Sequence, residues 1–241
     1  MDGMHTTAAS ADMDGRGLAI AAPGLVETFP AAAPAQRSEA TKRAMDIALT
    51  LLMLVPLAPV MAVVALLIRL RSGRQILVRH ERIGRDGVPF PCLKFRTMVR
   101  DADRVLEEHL ARDPAARAEW QAQRKLARDP RVTAIGNLLR RSSLDELPQL
   151  FNVLRGEMSL VGPRPVVRVE LEEHYAGEAG SLYCRVRPGV TGLWQVSGRS
   201  GVSYRERVRL DTEYVRTGSL MLDVAILCRT PWAVLRARGA C

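Results

Sequence analysis

Hydrophobic and polar positions follow three rhythms along this chain, and each predicts a different kind of element. Ile47 to Ile68 is an apolar run of 22 residues without a charge, long enough to cross a bilayer as one helix. Lys42 and Arg43 precede it, and Arg69, Arg71 and Arg74 follow it. Positive charge at both ends favours placing both on the cytoplasmic side. Pro56 and Pro59 stand near its centre, where each removes a helical hydrogen bond and favours a kink. The pattern predicts a kinked, re-entrant membrane helix over 42–71, with an ordinary spanning helix as the alternative.

A second rhythm, of period two, begins at Gln75. Ile76-Leu77-Val78 and Phe90 to Phe95 flank Arg85-Asp86-Gly87, and Asp-Gly between such runs predicts a β-hairpin. The third rhythm is helical. Residues 100–128 are densely charged and predict exposed helix, divided at Asp113-Pro114. Leu147, Leu150, Phe151 and Leu154 form one apolar helix face that stops at Gly156. Val190 to Val196 suits a short strand, and Tyr204 to Arg216 an amphipathic helix. Leu220 to Arg238 mixes aliphatic residues and Trp232 with Arg229, Arg236 and Arg238. It predicts a helix interrupted at Pro231, either lying in the membrane interface or packed on the core. Residues 1–40 are rich in Ala, Gly, Pro and Asp, have no period, and are expected to form a disordered tail. The reading is a mixed α/β, mainly helical fold over 41–241, with a cytoplasmic part over 72–241.

Charge narrows the partners. The net charge is +9 and the pI about 10.1, which calls for an anionic partner. Aromatic residues make up only 5%, too few for base-stacking platforms, and no nucleic-acid-binding signature is present. Anionic lipid or a phosphorylated substrate is the better match. Cys92, Cys184, Cys228 and Cys241 form no CxxC pair and read as free thiols. His80-Glu81 begins like a zincin motif, but residue 84 is Gly and no HExxH exists.

Candidate chemistry concentrates in Ser142 to Pro165. Asp145 and Glu146 adjoin Arg140 and Arg141, and Arg164 follows in a stiff Gly-Pro-Arg-Pro turn. A carboxylate can attack phosphorus and form an acyl phosphate. A neighbouring acid can hold a divalent cation, and arginines hold phosphate through charge-assisted hydrogen bonds. Ser143-Leu144-Asp145-Glu146 also fits a capping box, in which Glu146 only reaches back to the cap nitrogen. Lys94 and Arg96 form a second basic pair, on one face of a strand. In the segment Pro188 to Arg199, three glycines allow close approach to a ligand, and Trp194, Gln195, Ser197 and Arg199 are placed to contact a sugar or nucleotide.

These motifs together resemble the bacterial sugar transferases of the monotopic phosphoglycosyl transferase family. The carriers are Lys42-Arg43 with Asp46, Glu81 to Gly84, Lys94 to Met98, Asp129 to Thr133, Ser143 to Asn152, Met158 to Pro165, and Arg187 to Arg199. The resemblance implies transfer of a sugar-1-phosphate from a UDP-hexose to undecaprenyl phosphate, with release of UMP. Asp145 matches the nucleophile, and Glu146 its partner with Mg2+. Lys94, Arg140 and Arg164 match basic residues of the active site, and Pro59 the proline of the re-entrant helix. Where relatives often have Ser before that proline, this chain has Ala58; Pro56 stands nearby. Gly192 to Arg199 looks closest to the hexose branch that initiates exopolysaccharide synthesis, with galactose the first expectation and glucose the second. The implied setting is the cytoplasmic face of the bacterial inner membrane, with downstream glycosyltransferases as possible partners. Sequence carries no signal for oligomeric state. The alternatives are a membrane-anchored, non-catalytic scaffold of polysaccharide assembly and a sugar-only transferase that releases UDP.

Overall fold

The computed structural model describes residues 18–22, 25–29, 38–123, 126–198 and 203–235. Strands β1 (Leu18–Ala22) and β2 (Leu25–Phe29) pair antiparallel inside the segment expected to be a tail; the rest of that segment before Ser38 lies outside the described residues.

Helix α1 runs from Glu39 to Ser72, 34 residues, or about 51 Å if straight. It remains helical through Pro56 and Pro59. The break expected at those prolines is therefore not seen as an end to the helix. The two lost hydrogen bonds, to the carbonyls of Leu52 and Val55, are too few to terminate it. Both ends of α1 are fastened to the rest of the protein. Near its start, Lys42 lies between Asp46 (2.8 Å) and Asp223 (3.3 Å), and Asp46 accepts from Ser159 Oγ at 2.8 Å and Leu160 N at 3.2 Å. Arg43 donates to the carbonyls of Val153 and Leu154. Near its end, Met61, Val64 and Ile68 are buried with Phe95 and Leu139. The opposite stripe, including Leu52, Val55, Val63, Leu66 and Leu70, is exposed.

Strands β3 (Leu77–Ile83) and β4 (Pro89–Phe95) form the expected hairpin. Its turn is the 3-10 turn Arg85–Gly87, in which Asp86 takes φ 58°. Helices α2 (Ala102–Arg112) and α3 (Pro114–Gln123) follow, divided at Asp113 as the proline dictates. Then come α4 (Ala134–Arg141), a 3-10 turn (Leu144–Glu146) and α5 (Gln149–Arg155). Gly156, at φ 84°, ends α5. The buried face of α5 is Leu150 and Val153 with Gln149 and Asn152, while Phe151 is exposed; the apolar face inferred from spacing is rotated toward these polar residues. Asn152 explains the rotation, since its side chain ties α5 to β4 through Leu93 N and Pro91 O.

Strand β5 (Ser159–Val161) lies parallel to β6 (Gly189–Thr191). Between them are α6 (Arg168–His174) and α7 (Glu178–Tyr183). The strand expected over Val190 to Val196 ends at Thr191, and Leu193–Ser197 forms the short helix α8. Helices α9 (Tyr204–Thr217) and α10 (Leu220–Leu235) close the domain. Helix α10 continues through Pro231, so the interruption expected there is absent. It buries Leu222, Asp223 and Ile226 and exposes Met221, Val224, Trp232 and Leu235. It thus serves the core with one face and offers an apolar surface with the other. The principal core joins α5, β5, α8, α9 and α10, with Leu49, Leu54 and Leu57 of α1 packed against it.

Candidate active site

Helix α4 is built onto the end of β4. Thr133 caps it, accepting from Gly136 N at 2.9 Å, and Thr133 N donates to Thr97 O at 3.0 Å. Gly136 rests on the same residue: a Cβ there would lie 2.0 Å from Thr97 O. Only glycine permits that approach. Arg140, at the far end of α4, donates from Nε to Thr97 Oγ1 at 3.0 Å. Thr97 therefore fixes both the start of the helix and Arg140 near its end.

The chain then reverses sharply. Ser143 sits at φ 57°, a left-handed conformation that is uncommon for a residue with a side chain. No side-chain cap forms at Ser143, so the capping-box reading fails here. The following turn packs Leu144 and Leu147 against the Met61, Val64 and Ile68 cluster of α1 and directs Asp145 inward. Asp145 is 8% exposed. Glu146 Oε1 accepts from Lys94 Nζ at 2.6 Å.

Burial pushes the Asp145 carboxyl up from its ordinary 3.8 to about 6, and the neighbouring Glu146 charge adds to the rise; Lys94 and Arg140 oppose it. Burial lowers the His80 imidazole, helped by the charges of Arg82, Lys94 and Arg140.

Glu146 lines a small, narrow cleft whose walls include Arg82, Lys94, Arg164, Gly189 and Gln195. The hairpin register places Arg82 and Lys94 on one face: His80 pairs with Cys92, Arg82 with Phe90 and Val78 with Lys94. Arg164 comes from the Gly-Pro-Arg-Pro turn. The Tyr183 hydroxyl lies between the carbonyls of Ile83 (3.0 Å) and Arg164 (3.2 Å) and accepts from Val166 N (3.2 Å). The Arg164 guanidinium lies 5.9 Å from the Trp194 ring centroid, and Arg207 lies 4.8 Å from the same ring.

The structure therefore brings together Asp145, Glu146, Lys94, Arg140 and Arg164. It does not bring in Arg96, whose side chain donates to Gln75 and which is absent from the cleft wall. One strand residue beyond β4, its backbone turns to pair with Ile76 O. Arg199 lies outside the described residues. Gly189 lines the cleft, and close packing within the chain also requires glycine: a Cβ on Gly189 would lie 2.1 Å from Gly162 N, and one on Gly192 would lie 2.3 Å from Gly162 O. Trp194 is buried, with the guanidinium groups of Arg164 and Arg207 near its ring. Arg82 was not anticipated. Counting back from Lys94 across a hairpin centred on Asp86 places it on the same face, which is the signal that could have found it.

A family model described as bacterial sugar transferase matches residues 37–237. The chain belongs to the bacterial sugar transferase family. This sugar transferase is 50% identical over 200 residues to the exopolysaccharide production protein ExoY of Sinorhizobium fredii, covering 83% of this chain and 88% of that one. It is 52% identical over 199 residues to a UDP-galactose-lipid carrier transferase of Erwinia amylovora. It is 50% identical over 199 residues to an undecaprenyl-phosphate galactose phosphotransferase of Salmonella typhimurium. These two alignments cover 83% of this chain and 41% of the relative, so the sugar transferase spans well under half the length of either.

Among the described residues no cluster of three or more His, Cys, Asp or Glu is arranged to hold a metal. Asp145 and Glu146 nevertheless fit Mg2+, which commonly takes one or two carboxylates and completes its shell with water and substrate phosphate. Their mutual repulsion is the electrostatic condition that a divalent cation relieves.

Proposed function

We propose that this enzyme transfers hexose-1-phosphate, galactose before glucose, from a UDP-hexose to undecaprenyl phosphate and so initiates exopolysaccharide or a related glycan. The observation that carries the proposal is Asp145, a buried carboxyl held beside Glu146 under the charges of Lys94 and Arg140. The printed names of relatives near 50% identity point to the same donor and acceptor.

The chemistry runs in two displacements. An ionised Asp145 oxygen attacks the sugar-bearing phosphorus of the donor. A bond forms between that oxygen and phosphorus, the bridging P–O bond breaks, and its electron pair leaves on UMP. The phosphate oxygen of the acceptor then attacks the same phosphorus and returns Asp145 as a carboxylate. Arg140 and Lys94 stabilise charge on the transferring phosphate, and Arg82 and Arg164 extend the field along the cleft. Bound Mg2+, held by Asp145 and Glu146, would offset charge on the pyrophosphate.

The membrane reading is re-entrant. Both ends of α1 are fastened to one folded unit, at Asp46–Ser159 and at Ile68 with Phe95 and Leu139. That supports a helix that dips into the cytoplasmic leaflet of the inner membrane and returns, covering its exposed aliphatic stripe with lipid. The test of the chemistry is mass analysis of the protein mixed with UDP-galactose alone. A hexose-phosphate adduct on Asp145, missing from Asp145→Asn, is expected. An Asp145→Asn protein that still turns over at the wild-type rate would overturn the mechanism.

A further inference from the structure

The cleft beside Glu146 leaves one motif without a role: Asp129-Pro130-Arg131-Val132-Thr133. These residues connect α3 to α4. Val132 bridges Met98, Val99 N donates to Arg131 O at 2.9 Å, and Thr133 is fixed on Thr97. The motif is therefore joined edge to edge with the segment that carries Lys94 and Thr97. Asp129 is neutralised locally by a two-pronged pair with Arg131 (2.6 Å and 2.8 Å), and Arg131 stacks on Trp120 at 4.9 Å. This rigid connector walls a second, larger cavity.

That cavity is open to solvent and has a volume of ≈ 500 Å3, far larger than the first. His109, Arg128, Asp129, Thr133, Asn137 and Arg140 contribute to its wall, with Leu126, Pro130 and Val132 as apolar surface. Its size falls within the range of small-molecule sites. Arg140 is the decisive residue. It lines the second cavity, its charge acts on Asp145, and Thr97 Oγ1 holds its Nε. Arg140 thus links the second cavity to Asp145.

We propose that the second cavity holds the nucleoside monophosphate half of the donor. The inference rests on the function proposed above. In-line displacement requires attacking and leaving oxygens to face opposite sides of phosphorus. Asp145 supplies the first, and a nucleotide seated past Arg140 supplies the second. The breaking P–O bond then delivers its electron pair to an oxygen beside that guanidinium. Polar groups suit ribose hydroxyls and base edges, and the apolar wall suits the base face. The polyprenyl acceptor is assigned elsewhere because its chain must stay against the aliphatic surface of α1. The second cavity is instead walled by the charged segment that ends α2 and leads into α4.

The test uses the full chain in nanodiscs, with UMP as the probe. Ala134→Trp places an indole in the cavity, and Asn137→Ala removes a hydrogen-bonding wall without adding bulk. Expected for Ala134→Trp are a roughly tenfold weaker UMP inhibition and a parallel rise in KM for UDP-galactose, or about 1.4 kcal/mol, with KM for undecaprenyl phosphate unchanged. Asn137→Ala should move the same two constants in the same direction, and stands in if the tryptophan variant does not fold. Unchanged UMP inhibition in an active variant overturns the proposal. A rise confined to the acceptor KM overturns it too, by assigning the cavity to the lipid phosphate. Wild-type protein that releases UDP, or nothing, would instead break the underlying function.

Discussion

Replacing Asp145 by Asn should abolish turnover and stabilise the fold. The carboxyl is pushed from 3.8 to about 6 by burial and by Glu146. A displacement of about two pH units, at 1.36 kcal/mol each, corresponds to about 3 kcal/mol. The sign follows from proton linkage. The folded protein binds this proton more tightly than the unfolded chain does, so stability is undiminished below pH 3.8 and falls as pH rises toward 6. Above pH 6 the full penalty applies. Asparagine cannot ionise, so it escapes the penalty while keeping nearly the same shape. About half of its advantage should be present at pH 5 and all of it by pH 8. For a chain of this size, about 3 kcal/mol raises Tm by about 6–12 °C. Thermal unfolding of wild type and Asp145→Asn at pH 5 and pH 8, in the same detergent, measures it. A mutant that melts below wild type at pH 8, or a Tm difference independent of pH, would refute the reasoning. That result would make Asp145 a structural cap, whose removal costs about 1 kcal/mol.

Activity should rise with pH through about 6, with about a tenth of the plateau rate at pH 5, because only the carboxylate attacks; in Lys94→Met that rise should shift to higher pH, since Lys94 opposes the displacement of Asp145, and an unmoved profile contradicts the assignment. Gly136→Ala should force α4 away from Thr97 O, costing about 1–3 kcal/mol and lowering kcat as Arg140 loses its anchor; denaturation and rate assays that match wild type would show the contact is not tight. Lys42→Met leaves Asp46 and Asp223 buried without their cation and should cost about 3–5 kcal/mol, seen as a lowered Tm; a neutral substitution would mean that this network does not hold α1.

Much of this architecture was legible in the sequence because local chemistry dictates it. Asp86-Gly87 placed the hairpin, Pro114 divided α2 from α3, and Gly156 ended α5. Boundaries inside longer elements were less legible. Prolines suggested a kink at Pro56 and Pro59 and an interruption at Pro231, yet α1 and α10 both continue as helix through them. The proximity of Asp145, Glu146, Lys94, Arg140 and Arg164 was legible because acids and arginines crowd one stretch and one strand. Arg96 was misplaced because strand alternation was carried one residue past the end of β4. Contacts at long range were out of reach: nothing local announces that Gly136 rests on Thr97, or that Gly162 and Gly189 pack backbone to backbone. Asp46 could be recognised as part of a motif, but its partners Ser159 and Leu160 lie more than a hundred residues away.

The most direct test of the central claim is the nucleotide released when purified protein in nanodiscs meets Mg2+, undecaprenyl phosphate and UDP-galactose. The account predicts UMP, in step with a lipid-linked hexose phosphate and lost in Asp145→Asn. Release of UDP would mean that only the sugar moves, and would contradict the role given to Asp145.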